Sequence, residues 1–235
     1  MASKNPGPLS SEELSVGIVA CIENSQSLIR AGNLLLLEGC LGSALANFSI
    51  ADQENGKVQV LWKMAELASD DDANWDRLWK AFRDHRNKAA SGYMGSRDQG
   101  LSDLEWGNEA RFAKKVYGPK AERIRQGVLY VDFIKADRTW TSPWNADIAV
   151  LTRIRETAQK TLEGLLEIRN RDLFSPKALS IKKDVYTQFS GPTIPKGANA
   201  PKKYEIIGNE TRFRLTTYFD KLEAEGFDVP PEFRY

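Results

Sequence analysis

The only histidine in the 235-residue chain, His85, stands in the run AFRDHRNK, with Arg83 and Arg86 beside it and Lys88 three places on. An imidazole can take and return a proton near neutral pH, and neighbouring cations can hold a phosphate or steady a developing phosphorane. A second grouping lies in ADQENGK, where Glu54 and Lys57 are also three apart. On a helix the two members of each pair share a side. If two helices brought those sides together, a carboxylate, an imidazole and two ammonium groups would face one ligand. RNA supplies its own nucleophile, the 2′-OH, so such a set could cut it without a metal. The plain structural alternative is a surface pair at Glu54 and Lys57 worth a few tenths of a kcal/mol, with His85 packed or capping at a helix end.

Positioning these groups is the task of long amphipathic helices. Ser10-Ser11-Glu12-Glu13 has the form of a capping box, and Leu14, Ile18, Ile22, Leu28 and Ile29 follow at helical spacing. Gly39 and Gly42 flank a break, beyond which Ala44, Phe48, Ala51, Val58 and Trp62 form the stripe of a second helix. Glu54 falls beside that stripe. Asp70-Asp71-Asp72 suits the start of a third helix with Trp75, Leu78, Trp79 and Phe82 on its buried face, and His85 belongs to its last turns. The aromatic spacing there is that of a core rather than a base-stacking platform. The expected groove lies between the second and third helices, packed as an antiparallel hairpin.

From Ser91 to Gly107 the composition shifts to Gly, Ser, Asp and Arg, which predicts an irregular connection. Short helices are expected around Glu109 to Tyr117 and Lys120 to Gln126, then an extended segment from Leu129 to Phe133 without a partner strand. Pro143 and Asn145 precede a long helix carrying Ile148, Leu151, Ile154, Ala158, Leu162, Leu165, Leu166 and Ile168. Beyond Asp172, prolines, glycines and lysines predict a flexible or surface-hugging segment, basic and solvated from Lys177 to Lys203, and a short helix around Glu210 to Glu225. The organisation expected is a leader over residues 1–10, an all-α bundle of about four long helices over 11–172, and an extension over 173–235.

Composition narrows the classes of function. Lys plus Arg number 33 against 32 Asp plus Glu, a net charge of +1, so any attraction for nucleic acid must be local. Arg83, Arg86, Arg111, Lys114, Lys115, Arg123 and Arg125 fall in one such basic region, a phosphate-binding patch or an ordinary solvated surface. A single histidine excludes a His-rich metal site, Cys21 and Cys40 sit in apolar patterns as small core residues, and no acidic cluster argues for magnesium. No metal and no cofactor is expected. The longest apolar run, Leu34 to Leu37, is too short to span a bilayer, and the first ten residues lack the features of a signal peptide. The expected location is the cytoplasm, with no membrane partner.

Three passages in order resemble the AbiV family of abortive-infection proteins, within the HEPN group of helical proteins. They are NSQSLIRAGNLLLLEGCLGSALANFSIADQENGK from Asn24 to Lys57, FRDHRNK from Phe82 to Lys88, and VLYVDF followed after a gap by Pro143. The first is similar to the family's pattern of an asparagine, a long apolar helix and a terminal Glu-Glu-x-Gly-Lys. The likeness covers Gly17 to Leu166. It implies an all-helical, dimeric bundle that acts in bacterial defence against phage, where infected cells stop making phage protein. It also raises His85 and Glu54 to site candidates. Two departures accompany it: Gln53 stands where the family's first glutamate is expected, and the Arg-x4–6-His spacing of HEPN ribonucleases is absent, since Arg77 and Arg83 precede His85 by eight and two positions.

The residues and the resemblance together point to an antiphage effector that arrests translation by cutting or gripping RNA. His85, Glu54, Lys57 and Lys88 would line the groove, and Arg83, Arg86, Lys114 and Lys115 would meet RNA. The expected partners are a second copy of the chain, RNA or the translation machinery, and a phage-encoded activator protein. A non-enzymatic binding module that blocks a translation component or senses a phage protein is the alternative.

Overall fold

A computed structural model describes residues 5–95, 103–129, 132–134, 139–141, 146–189 and 200–231. The architecture is all-α with one small ribbon. Helix α1 (Ser11–Leu37) opens on a true capping box: Ser10 Oγ accepts from the Glu13 N–H at 3.1 Å, and Glu13 Oε2 accepts from the Ser10 N–H at 2.8 Å. Its buried face runs Leu14, Ile18, Cys21, Ile22, Ser25, Ile29 and Gly32. The helix stops at Gly39, whose φ of +73° is a left-handed conformation that glycine adopts without strain. The chain then reverses into α2 (Leu41–Met64).

Helix α2 is the axis of the molecule. It packs against α1, α3 (Asp72–Arg83), α4 (His85–Gly95), α6 (Gly118–Leu129) and α7 (Ile148–Asn170), which leaves it almost no exposed side. Ala44, Phe48, Ala51 and Val58 are fully buried, as the apolar stripe predicts, but so are Asp52, Gln53, Glu54 and Asn55. Glu54 is thus an interior residue rather than a marginal one. Because each neighbour covers a different side of α2, the polar run cannot reach water and must find partners inside.

Several elements differ from the expectation. The third helix ends at Arg83, and His85 opens a separate helix, α4, rather than closing α3. Asp84 causes the break: its backbone is extended at φ −81°, ψ 118°, and its Oδ1 accepts from the Arg86 N–H at 2.8 Å and the Asn87 N–H at 3.4 Å. Consequently α4, not α3, lies along α2 and brings His85 to it. The stretch expected as irregular holds the rest of α4 up to Gly95 and the start of α5 (Asp103–Phe112); residues 96–102 lie outside the described ones.

Helix α5, a π-helical turn (Ala113–Tyr117) and α6 follow without a break, replacing the two short helices expected. Leu129 ends α6, and Asp132–Ile134 (β1) pairs antiparallel with Thr139–Thr141 (β2), so the lone strand has a partner that its own alternation could not reveal.

The largest correction concerns the C-terminal part. Ser175 caps and Pro176 begins α8 (Pro176–Gln188), and α9 (Ala200–Ala224) runs 25 residues where a short helix was expected. Phe174 and Leu179 enter the central core, while Val185, Tyr186, Tyr218, Phe219 and Leu222 form a second apolar cluster. Lys182, expected on a solvated basic surface, is fully buried. Its Nζ donates to the Trp62 carbonyl at 3.1 Å and to Glu66 Oε1 at 2.8 Å, and lies 3.8 Å from the Trp62 ring centroid. That carbonyl belongs to the last turn of α2, which has no helical donor of its own. Burial lowers the lysine pKa to about 8, with Glu66 opposing the shift. Among the described residues, no helix is long and apolar enough to cross a membrane.

Glycine sets how closely α4 meets α2. A Cβ placed on Gly56 would sit 1.8 Å from the Lys88 carbonyl oxygen, and one on Gly92 would sit 2.5 Å from the Asp52 carbonyl oxygen. Both obstacles are backbone atoms of a packed helix, so neither can swing aside. Gly56→Ala is expected to destabilise the fold by about 3 kcal/mol or more in urea unfolding. Gly164→Ala, where a Cβ meets nothing within 4 Å, is expected to gain up to about 1 kcal/mol. Equal stability of the Gly56 variant and the parent would refute the close approach.

Candidate functional site

The α2–α4 contact gathers the four candidate residues His85, Glu54, Lys57 and Lys88, and adds Gln53. Capped by Asp84, α4 presents His85 in its first turn, and the ring Nδ1 lies 2.7 Å from Gln53 Oε1 on α2. With the amide oxygen facing it, Nδ1 carries the proton and donates, which leaves the lone pair on Nε2. Gln53 is 3% exposed, and its Nε2 has no hydrogen-bond partner among the described residues. The next residue, Glu54, accepts at Oε1 from Lys57 Nζ at 2.6 Å, and Lys57 lies 5.6 Å from the Phe82 ring centroid. Lys88 completes the group and is buried. Glu54 therefore pairs with Lys57, and the imidazole contacts Gln53 instead.

Helix α6 adds residues that the sequence did not flag as catalytic. Glu122 takes a bidentate pair from Arg125, Nε and Nη2 each at 2.8 Å, and a third bond from Gln126 Nε2 at 2.8 Å. The Arg125 contacts hold the Glu122 carboxyl below the usual glutamate range against the opposing effect of burial. Both groups act on His85. Burial lowers the imidazole pKa first, Lys88 and Arg125 lower it further, and Glu122 and Asp84 pull the other way. The balance keeps the ring neutral at pH 7, able to accept a proton at Nε2. Lys88 is also lowered, by burial and then by Lys57, with Glu54 opposing.

The remaining candidates lie elsewhere. Arg83 is exposed and turns to the N-terminal segment, where Nη2 donates to Asn5 Oδ1 at 2.5 Å. Arg86 is exposed beside the site on α4, and Lys114 and Lys115 are exposed on the π-helical turn. None of these four figures among the charges that act on His85. Cys21 bonds to Glu54 from α1; burial, reinforced by Glu54, pushes its thiol up to about 11, so it stays protonated and is no nucleophile at neutral pH. No group of three or more His, Cys, Asp or Glu among the described residues is placed to hold a metal ion.

Behind the site, Asp52 is the most perturbed carboxyl. It is buried against the Gly92 backbone, and burial raises its pKa from 3.8 to about 7 despite a 3.3 Å hydrogen bond from the Tyr117 hydroxyl. The folded chain keeps a proton there that the unfolded chain releases, so this residue favours folding less as pH rises from 3.8 towards 7. Tyr117 reaches Asp52 from the π-helical turn and stacks on Tyr93 with centroids 4.5 Å apart. That fixes the turn, and the helix α6 that follows it, against α2 and α4.

The family model HEPN_AbiV, described as AbiV, matches residues 13–163, which span α1 through most of α7 and include every residue of the site. The chain belongs to the AbiV family. Membership carries a role in abortive-infection defence. No curated protein and no solved structure matches the chain. The place where the AbiV pattern has its first glutamate is now visible as the partner of the imidazole: a neutral amide at Gln53 orients His85 without adding charge. The amide at position 53 is plain in the sequence but its contact with the imidazole is not, because the two residues are 32 apart in the chain. For Arg125 and Glu122 the only signal was their membership of a basic helix.

Because His85 is the sole histidine, its ring nitrogens give one unambiguous nuclear magnetic resonance signal. The titration midpoint is expected below 6.5, with the proton on Nδ1 in the neutral form. Gln53→Glu should raise the midpoint by placing a carboxylate against Nδ1, and Lys88→Gln should raise it by removing a nearby cation. A midpoint at or above 6.5 in the parent, or no rise in either variant, would contradict the arrangement.

Proposed function

We propose that this AbiV protein is an abortive-infection effector that acts on RNA at the α2–α4 site and so arrests translation in infected cells. The observation that carries the reading is the 2.7 Å contact between His85 Nδ1 and Gln53 Oε1, which leaves Nε2 as the proton acceptor while Lys88 and Arg125 act on the same ring. In the reaction this favours, Nε2 removes the proton of a ribose 2′-OH, and the oxygen attacks the adjacent phosphorus. The bond to the 5′-oxygen breaks, and that oxygen takes a proton from the imidazolium or from water. The products are a 2′,3′-cyclic phosphate and a 5′-hydroxyl end. Lys88 and Arg125 offset the charge of the phosphorane, Gln53 holds the ring, and the Glu54–Lys57 pair keeps a cation beside Lys88. Arg86 guides the backbone at the site, while Arg83 and Lys114 contact RNA further out. A homodimer, in which the partner chain supplies a further cation, would replace the missing Arg-x4–6-His arginine.

A second reading draws on Gln53 itself. With an amide rather than a carboxylate behind the ring, an imidazolium is poorly stabilised, which favours a non-enzymatic module that blocks a translation component or senses a phage protein. The two separate in one set of assays. Full-length protein incubated with transfer and messenger RNA in the presence of a chelator is expected to leave 2′,3′-cyclic ends, and His85→Ala is expected to slow cleavage by about 100-fold or more. Intact RNA at all protein concentrations, or cleavage that survives His85→Ala, would remove the nuclease reading. Phage protection that persists in His85→Ala would favour the binding module.

A further inference from the structure

Away from His85, the π-helical turn and the start of α6 form an open surface cavity of about 340 Å³ lined by Lys115, Val116, Pro119, Lys120, Arg123 and Ile124. Its make-up is unusual for a solvated helix face. Val116 is 48% exposed, and Phe112, one turn earlier, is 43% exposed. The cause lies on the inner side of the same turn. Tyr117 is bound to Asp52, and a Cβ on Gly118 would sit 2.5 Å from the Arg86 carbonyl oxygen, so this backbone is pressed onto α2 and α4. With Tyr117 directed inward, Lys115 and Val116 are left facing out and cannot withdraw. The apolar floor is a fixed feature of the packing.

The rim carries three cations. Among the described residues, no carboxylate forms an ion pair with Lys115, Lys120 or Arg123, whereas Arg125 on the same helix is engaged by Glu122. Unscreened positive charge around an apolar floor calls for a ligand with the opposite charge around an apolar group. Among the described residues no aromatic side chain lines the cavity, so these offer no surface on which a base could stack.

We infer that this cavity is a docking site for a short acidic segment of a partner protein, which seats one aliphatic or aromatic side chain on Val116, Pro119 and Ile124 and places carboxylates against Lys115, Lys120 and Arg123. Ile124 also packs on the central core, and Glu122 and Arg125 on the same helix act on His85. An occupant would therefore rest on the element that flanks the candidate site. The proposal does not depend on RNA chemistry: the cavity binds or fails to bind whether or not His85 is catalytic.

The test uses the full chain and a fluorescein-labelled peptide, Gly-Asp-Glu-Asp-Phe-Leu-Asp-Glu-Gly, followed by fluorescence anisotropy. Saturable binding with Kd below about 100 µM is expected, weakened roughly tenfold when Phe-Leu becomes Ser-Ser and by a similar factor when the acids become amides. The double substitution Lys120→Glu with Arg123→Glu should weaken binding by about tenfold or more, and Val116→Ser, which leaves the charges intact, by roughly fivefold. Both variants alter exposed side chains, and circular dichroism verifies their fold. Equal binding of the Ser-Ser peptide would mean charge attraction without a seat and would overturn the proposal. So would preferential binding of a short single-stranded RNA that displaces the peptide, or no binding at about 1 mM peptide.

Discussion

The closeness of α2 and α4 depends on two glycines facing backbone. Where Gly56 meets the Lys88 carbonyl and Gly92 meets the Asp52 carbonyl, no side chain intervenes between the helices. At the side-chain separations usual for packed helices, the short amide of Gln53 would not reach the ring of His85. The close crossing also explains the burial of Asp52 and Lys88, since each lies against the opposing helix rather than towards solvent. Packing at two positions without side chains thus sets the distances, the protonation and the exposure of the site together.

Burial of so many polar groups costs stability, and the structure offsets only part of it. Asn55 donates to the Ala158 carbonyl and Glu54 holds Lys57, but Asp52 Oδ1, Asn55 Oδ1 and Gln53 Nε2 have no hydrogen-bond partner among the described residues. A run of this kind in the central helix of a bundle is destabilising compared with an apolar one. The raised pKa of Asp52 and the lowered pKa of His85 share a cause, the removal of water between α2, α4 and α6, and each shift favours the neutral form of its group.

Much of this was legible in the residues, and the failures have physical reasons. The capping box of α1, the stripe of α2 and the long helix from Ile148 follow from local periodicity and caps, which a sequence displays directly. The division between α3 and α4 was missed because neither Gly nor Pro marks it; an aspartate that caps the next helix does the work, and Asp84 looks like one more charge in a charged run. Glu54 was read as marginal because periodicity identifies one buried face, whereas α2 is enclosed by five helices. The extension beyond Asp172 misled for another reason: its prolines and lysines resemble linker composition, yet Pro176 starts α8 and Lys182 is held by Trp62 and Glu66. His85 and Glu54 stand out by residue type and the Glu54–Lys57 pair by its spacing, but the partners of His85 do not, since Gln53, Arg125 and Glu122 reach it only through tertiary packing.

The claim that α4 seats His85 on Gln53 is most directly examined by a double-mutant cycle on unfolding free energy, with Gln53→Ala, His85→Ala and the double variant unfolded in urea. A coupling of about 1 kcal/mol is predicted, because the two side chains share one partly buried hydrogen bond and removing either orphans the other. Additivity within about 0.3 kcal/mol would show that the residues do not touch in solution, and the site as described would not exist.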